Sequence, residues 1–238
     1  MTTPAASDPK RNRARELAQT HVAEGDLVGW FEPLYAEADG DPARVPWADL
    51  KPNPNLVEWV ERAAVRGEGR TALVVGCGLG DDAEFLAARG FRVTAFDIAP
   101  SAVAWCQRRN PTSSVRYTTA DLLNPPPDWS RSFDFVYEGY TLQVLQSAAL
   151  RSRAIERLSA FPGPGSTLLI ICRGREPGDP EGQMPWPLMR EELAVLDRSG
   201  LAPVAFEDFL DQHEAPPVRR FRALWRRPAA LATPANTP

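Results

Sequence analysis

Apolar positions along the chain keep two different periods. Near the start they recur every three or four residues, the spacing of a helix with one buried face. Leu27, Trp30, Phe31, Leu34 and Tyr35 predict a helix over 27–38, and Arg11 to Thr20 a shorter one. Asp39 to Asn55, rich in Pro, Gly and Asp, predicts an ordered irregular loop. Leu56, Val57, Val60, Ala63 and Ala64 predict another helix, with Asn55 as its N-cap. From Arg70 onward, short β-rich runs alternate with helical stretches. Strands are predicted over 72–75, 91–96, 115–119, 133–137 and 167–172. Helices are predicted over 81–89, 101–109 with Ser101 as cap, 148–160 and 191–199, the last stopped by Gly200. Two more strands, 203–209 and 218–225, follow without a helix between them.

Repeated strand–helix units bury both faces of a parallel sheet, and a terminal strand pair lacking a helix makes an antiparallel hairpin at its end. The expected fold is therefore α/β: a doubly wound, Rossmann-like seven-stranded sheet with an antiparallel last strand, preceded by a helical and irregular lid. The expected division is 1–69 for the N-terminal segment and lid, 70–228 for the core and 229–238 for a flexible tail.

The most specific feature is Leu73-Val74-Val75-Gly76-Cys77-Gly78-Leu79-Gly80-Asp81-Asp82, a strand running through glycines into a helix. Glycine lets the backbone approach a ligand that side chains would exclude, and leaves helix N-terminal N–H groups facing it. Seventeen residues after Gly80 the next strand ends in Asp97, followed by Ile98; a carboxylate there accepts both hydroxyls of a ribose. After the third strand, Asp121 can accept from an exocyclic amine while the backbone at Leu122 serves a ring nitrogen. A nicotinamide-binding Rossmann turn wants its third glycine where Asp81 stands.

This glycine segment, with Asp97 and Asp121 in their places, resembles class I methyltransferases, and Phe133 to Glu138 resembles that family's next motif. The resemblance spans Arg70 to Trp225 and implies S-adenosylmethionine as cofactor. It implies ribose binding by Asp97, adenine contacts from Asp121 and Leu122, and amino-acid contacts along Gly76, Gly78 and Gly80. The stretch Trp30 to Trp59, with Pro46-Trp47-Ala48-Asp49 and Lys51-Pro52-Asn53-Pro54-Asn55, is similar to the bacterial thiopurine S-methyltransferase-like group, whose N-terminal segment folds over the cofactor. That likeness puts Trp47 beside the sulfonium, where an indole face favours a cation. It puts Met184 and Trp186 of Gly182-Gln183-Met184-Pro185-Trp186-Pro187 at the acceptor pocket, with Trp30 and Tyr140. Where that group has Asp-Arg-Gly, this chain has Glu138-Gly139-Tyr140, without the arginine.

Composition narrows the reading. The net charge is −4, against a polyanion-binding surface; Arg219 to Arg227 alternates with Phe221 and Trp225 as a half-buried strand with a solvated arginine face would. Three cysteines without metal-ligand spacing predict no metal site and suit a reducing compartment. No apolar run reaches the roughly 20 residues of a membrane span, and the polar N-terminus lacks a secretory core. A cytoplasmic protein is expected, monomeric or weakly dimeric, with neither nucleic acid nor membrane as partner. His213 falls in an acidic turn and is expected at the surface.

No residue is a convincing general base, although Glu138, also a candidate for the cofactor's ammonium, and Tyr140 could serve. The expected reaction is methylation of a small molecule that is already nucleophilic, a thiol or a heteroaromatic sulfur or nitrogen, in detoxification or specialised metabolism. The alternatives are O- or N-methylation of a metabolite, a cofactor-binding protein without catalysis, and an NAD(P)-dependent oxidoreductase.

Overall fold

A computed structural model describes residues 8–229; the expected tail falls almost wholly outside them. Seven strands form one sheet: β1 (Thr71–Val75), β2 (Arg92–Asp97), β3 (Arg116–Thr119), β4 (Phe133–Gly139), β5 (Pro162–Arg173), β6 (Ala202–Asp211) and β7 (Val218–Arg226). Their spatial order is β3-β2-β1-β4-β5-β7-β6. β7 inserts between β5 and β6, antiparallel to both, so it alone runs against the sheet. The reversal of order beside β1 puts the turns after β1 and β4 next to each other, the place where open α/β sheets bind ligands.

The helices are α1 (Pro9–Ala23), α2 (Phe31–Ala38), α3 (Pro54–Arg62), α4 (Asp81–Ala88), α5 (Pro100–Arg109), α6 (Ala148–Ala160) and two short turns, α7 (Arg190–Leu193) and α8 (Val195–Arg198). Val75, Val136, Leu168, Ile170 and Phe221 join Ile155, Leu158 and Leu196 on one face of the sheet. Val74, Ala95, Phe135, Leu169 and Ile171 join Leu56, Val60 and Leu86 on the other. A third cluster lies over the strand ends, where Ala14, Leu17, Trp30, Phe31, Leu34 and Tyr35 meet Leu79, Ala102 and Trp105. The N-terminal helices are thus packed onto the edge of the sheet that carries the glycine turn, and the Ser101 N–H and hydroxyl donate to Glu32 at 3.0 and 2.5 Å.

Several local expectations change. α1 is longer than 11–20, started by Asp8 and Pro9. α2 begins at Phe31 because Asp26 accepts from the N–H groups of Val28 and Gly29, holding 26–29 in a turn. Asn53, not Asn55, caps α3, with Pro54 at its first position; α5 starts on Pro100, leaving Ser101 to bind Glu32. The arginine face of β7 is solvated at Arg226 but not along its first half. Arg220 and Arg222 are 2% and 3% exposed, because α3 covers that side of the sheet: Arg222 donates to the Asn55 carbonyl and reaches Glu58 and Glu207.

Ile170, on the long interior strand β5, is wholly buried. Ile170→Ala is expected to cost about 2–5 kcal/mol, read as a lower urea midpoint with an unchanged slope.

Candidate active site

A cavity of about 420 Å³ opens along the ends of β1, β2 and β4, roofed by α2 and the 46–54 loop. Its first half is built by consecutive turns. Gly76, Gly78 and Gly80 all take positive φ, 59°, 54° and 89°. A Cβ on Gly76 would stand 2.2 Å from the Thr141 hydroxyl, and one on Gly80 2.5 Å from the Tyr117 hydroxyl. The turn is tied to β2 by the Cys77 N–H on the Phe96 carbonyl at 2.8 Å. Asp97, 6% exposed, accepts from the Gly78 N–H on one oxygen and from the Ala99 N–H on the other, both at 3.0 Å. Each oxygen keeps a lone pair for a further donor. Burial, only partly offset by those N–H groups, lifts its pKa to about 6.

Ile98, Asp121 and Leu122 border the same half. Asp121 also holds its own turn, accepting from the Leu123 N–H at 2.8 Å. Trp47 closes the roof; its indole N–H donates to the Tyr35 hydroxyl at 2.7 Å, which leaves the ring faces to pack. The residues that could hold a nucleoside-bearing cofactor are thus Trp47, Gly76, Gly78, Asp97, Ile98, Asp121 and Leu122, all on the cavity wall. Gly80 stands behind it, caps α4 and packs on Tyr117, so its smallness serves the fold.

Glu138 is also behind the wall. It is fully buried, and one oxygen accepts from the N–H groups of Thr141 and Leu142 at 2.6 and 3.0 Å, pinning the turn after β4. Its other oxygen is buried without a partner. Burial outweighs those two bonds and lifts its pKa to about 7.

The second half of the cavity lies past β4. Tyr140 lines it with φ +71°, an uncommon conformation for a bulky residue and one that marks functional positions. The Arg220 guanidinium lies 4.2 Å from the Tyr140 ring centre, and the Asn55 amide donates to the Tyr140 hydroxyl at 3.2 Å. Gln143, Arg173, Asp211 and Glu214 border the same end, and His213 lies on its exposed rim. Burial opposes ionisation of Asp211, but hydrogen bonds from Asn55, the His213 N–H and Arg220 hold its pKa below the usual range. Of the four expected acceptor contacts only Tyr140 reaches the wall. Trp30 is 1% exposed and stacks on Phe31, Met184 is buried in the third cluster, and Trp186 packs against that cluster while its neighbour Pro185 faces the cavity. Sequence patterning missed Tyr35, Thr141, Gln143, Arg173 and Arg220; only the arginine alternation in β7 signalled one of them.

Residues 72–164 match the family described as a methyltransferase domain. Aligned at 26% identity over 65% of this chain and 67% of the relative is 2-heptyl-1-hydroxyquinolin-4(1H)-one methyltransferase of Mycobacteroides abscessus. A ubiquinone biosynthesis O-methyltransferase of Pseudomonas syringae pv. tomato aligns at 32% identity over 64% of this chain and 58% of its own length. The chain thus spans two thirds of the first relative and less of the second. The N-methyltransferase NodS from Bradyrhizobium japonicum, solved with S-adenosyl-L-homocysteine, superposes with a TM-score of 0.62 at 21% identity, covering 82% of this chain and 98% of that one. The fold is the Rossmann-like methyltransferase fold, and residues 72–164 of it are the stretch that matches a methyltransferase domain. Likeness to the thiopurine subgroup has no counterpart among these matches. No helix among the described residues is long and apolar enough to cross a membrane, and no cluster there could hold a metal ion.

Three outcomes are expected. Ionised Asp97 is the form that accepts hydroxyl donors, so S-adenosylmethionine affinity should be flat above about pH 7 and fall as pH drops through about 6. Asp97→Asn should weaken binding roughly 10- to 150-fold at pH 7.5 or so and flatten that profile, both read by calorimetry. Glu138 binds its proton more tightly folded than unfolded, so its contribution is full below its unfolded pKa of 4.5 and declines up to about 7. Glu138→Gln should therefore narrow the gap between stability at pH 5 and at pH 8, read as urea midpoints.

Proposed function

We propose that the protein transfers the methyl group of S-adenosylmethionine to a small molecule, at a heteroatom already nucleophilic near neutral pH: a thiol, or a sulfur or nitrogen of a heteroaromatic ring. The observation that carries this reading is that the carboxylates at and behind the acceptor end, buried Asp211 and Glu138 and half-buried Glu214, are committed elsewhere. Asp211 and Glu214 are held by Arg220, and Glu138 is held by backbone N–H groups behind the wall. An acceptor that needs no deprotonation is left with positioning as its main requirement.

When bound, the cofactor supplies a sulfonium methyl open to in-line displacement. The chain's own residues do the rest. Gly76 and Gly78 keep the floor of the cavity low, Asp97 accepts the ribose hydroxyls, and Asp121 with the Leu122 backbone meets the adenine edge. Trp47 and the packed N-terminal helices form a lid that excludes water. Tyr140 and Pro185 border the acceptor.

A second reading, methylation of an acidic hydroxyl oxygen, is favoured by the relatives named for O-methylation and for a hydroxyquinolone. Incubation with S-adenosylmethionine and a panel of aromatic thiols, thiones, N-heterocycles and catechols decides, with products read by mass spectrometry and the methylated atom by NMR. Methylation at sulfur or nitrogen is the expected result. Oxygen products alone would install the second reading. If the cofactor bound yet no acceptor yielded S-adenosylhomocysteine, the catalytic reading would give way to a cofactor-binding protein.

A further inference from the structure

Arg173, at the end of β5, and Arg220, early in β7, both border the acceptor end of the cavity beside Tyr140. The Arg220 side chain is 2% exposed. Its Nε donates to Asp211 at 3.3 Å and its Nη2 to Glu214, which leaves Nη1 buried without a partner. Arg173 reaches Glu214 through Nη2 at 3.4 Å, and its Nε is likewise buried without a partner. Two cations therefore share one glutamate, and each keeps a buried N–H with nothing to donate to. A charged donor left unsatisfied in a protein interior is costly, and two beside one cavity point to an acceptor arriving from that cavity. Arg11, paired with Asp8 at 3.3 Å, adds a third cation to the same wall. Burial and the neighbouring charge of Arg220 hold the Arg173 pKa below its usual value, as befits a cation short of counter-charge.

We propose that Arg173 and Arg220 seat a carboxylate carried by the methyl acceptor, a group separate from the heteroatom that is methylated. This rests on the methyltransferase reading above. Guanidinium N–H groups match carboxylate oxygens, and one unpartnered nitrogen from each of two arginines offers a donor to each oxygen, which fixes both position and direction. An oxyanion gripped by two guanidiniums has its lone pairs engaged and is a poor nucleophile, so the anchored group is not the one that reacts. The acceptor is then a small organic acid with a second, nucleophilic heteroatom, oriented by its carboxylate toward Tyr140 and the cofactor half.

The test titrates the protein, saturated with S-adenosylhomocysteine, with thiosalicylate, protocatechuate and the methyl ester of each. At least one acid is expected to bind, and its ester to bind roughly 10- to 150-fold more weakly, the loss of charge-assisted hydrogen bonds. Arg173 is 21% exposed and tolerates change better than Arg220, so Arg173→Gln is the first variant. It should lose the preference for acids by a similar factor while S-adenosylhomocysteine affinity holds, which also reports an intact fold. Arg220→Lys, which keeps the charge and loses the fork, should weaken acid binding in the same direction. Equal binding of acid and ester, or binding of neither acid, overturns the proposal. So does an Arg173→Gln protein that loses S-adenosylhomocysteine and leaves acid binding unchanged, since the arginines would then serve the cofactor's own carboxylate. Failure of the wild-type protein to bind S-adenosylhomocysteine at all fells the methyltransferase reading itself, and shows before any acid is added.

Discussion

The Asp97 carboxylate takes the Gly78 N–H on one oxygen and the Ala99 N–H on the other, and so ties the turn after β1 to the turn after β2. Nearly everything at the site depends on that link. Three successive glycines in positive φ cost conformational entropy on folding and have no side chains to hold them. A buried acceptor shared between two turns supplies the missing constraint, with the Cys77 N–H on Phe96 as a second tie. The same carboxylate is left near its own pKa, satisfied enough to persist in the interior and open enough to accept from a ligand.

The parts of the fold that sequence patterning made legible are those set by neighbours in the chain. The glycine run from Gly76 to Gly80, the acids ending the next two strands, and the alternation from β1 to β5 are local signals, and the antiparallel last strand follows from the missing helix between β6 and β7. The errors come from distant contacts. Arginine alternation in β7 reads as a wet face unless one knows that α3 lies over it. Trp30 and Met184 look like pocket residues by analogy, yet the lid packs them inward, because an apolar side chain under a docked helix gains more from burial than from facing a cavity. Arg173, from β5, and Arg220, from β7, meet only because β7 inserts next to β5, a pairing that no spacing rule announces.

Several groups at the site are held at some expense. Glu138 is kept wholly from water with one oxygen unpartnered, Tyr140 sits in a disfavoured backbone region, and Arg220 is buried among carboxylates that do not use all its donors. Buried ionic groups rarely add net stability. Here they cluster at the ends of β4, β5 and β7, around one half of the cavity, while the apolar layers on both faces of the sheet carry the fold.

The two halves of the cavity are drawn from separate stretches of chain. The turns after β1, β2 and β3 lie between residues 76 and 123, while the far wall comes from 173, 185 and 211–220. β7 is paired on both sides, so the loop from 212 to 217 hangs from a rigid ladder and, apart from Glu214 with its tie to Arg173 and Arg220, can change in length or charge without disturbing the sheet. In a methyltransferase built this way, a lineage could diversify the compounds it modifies by altering a single surface loop, while the machinery for the common donor is inherited intact.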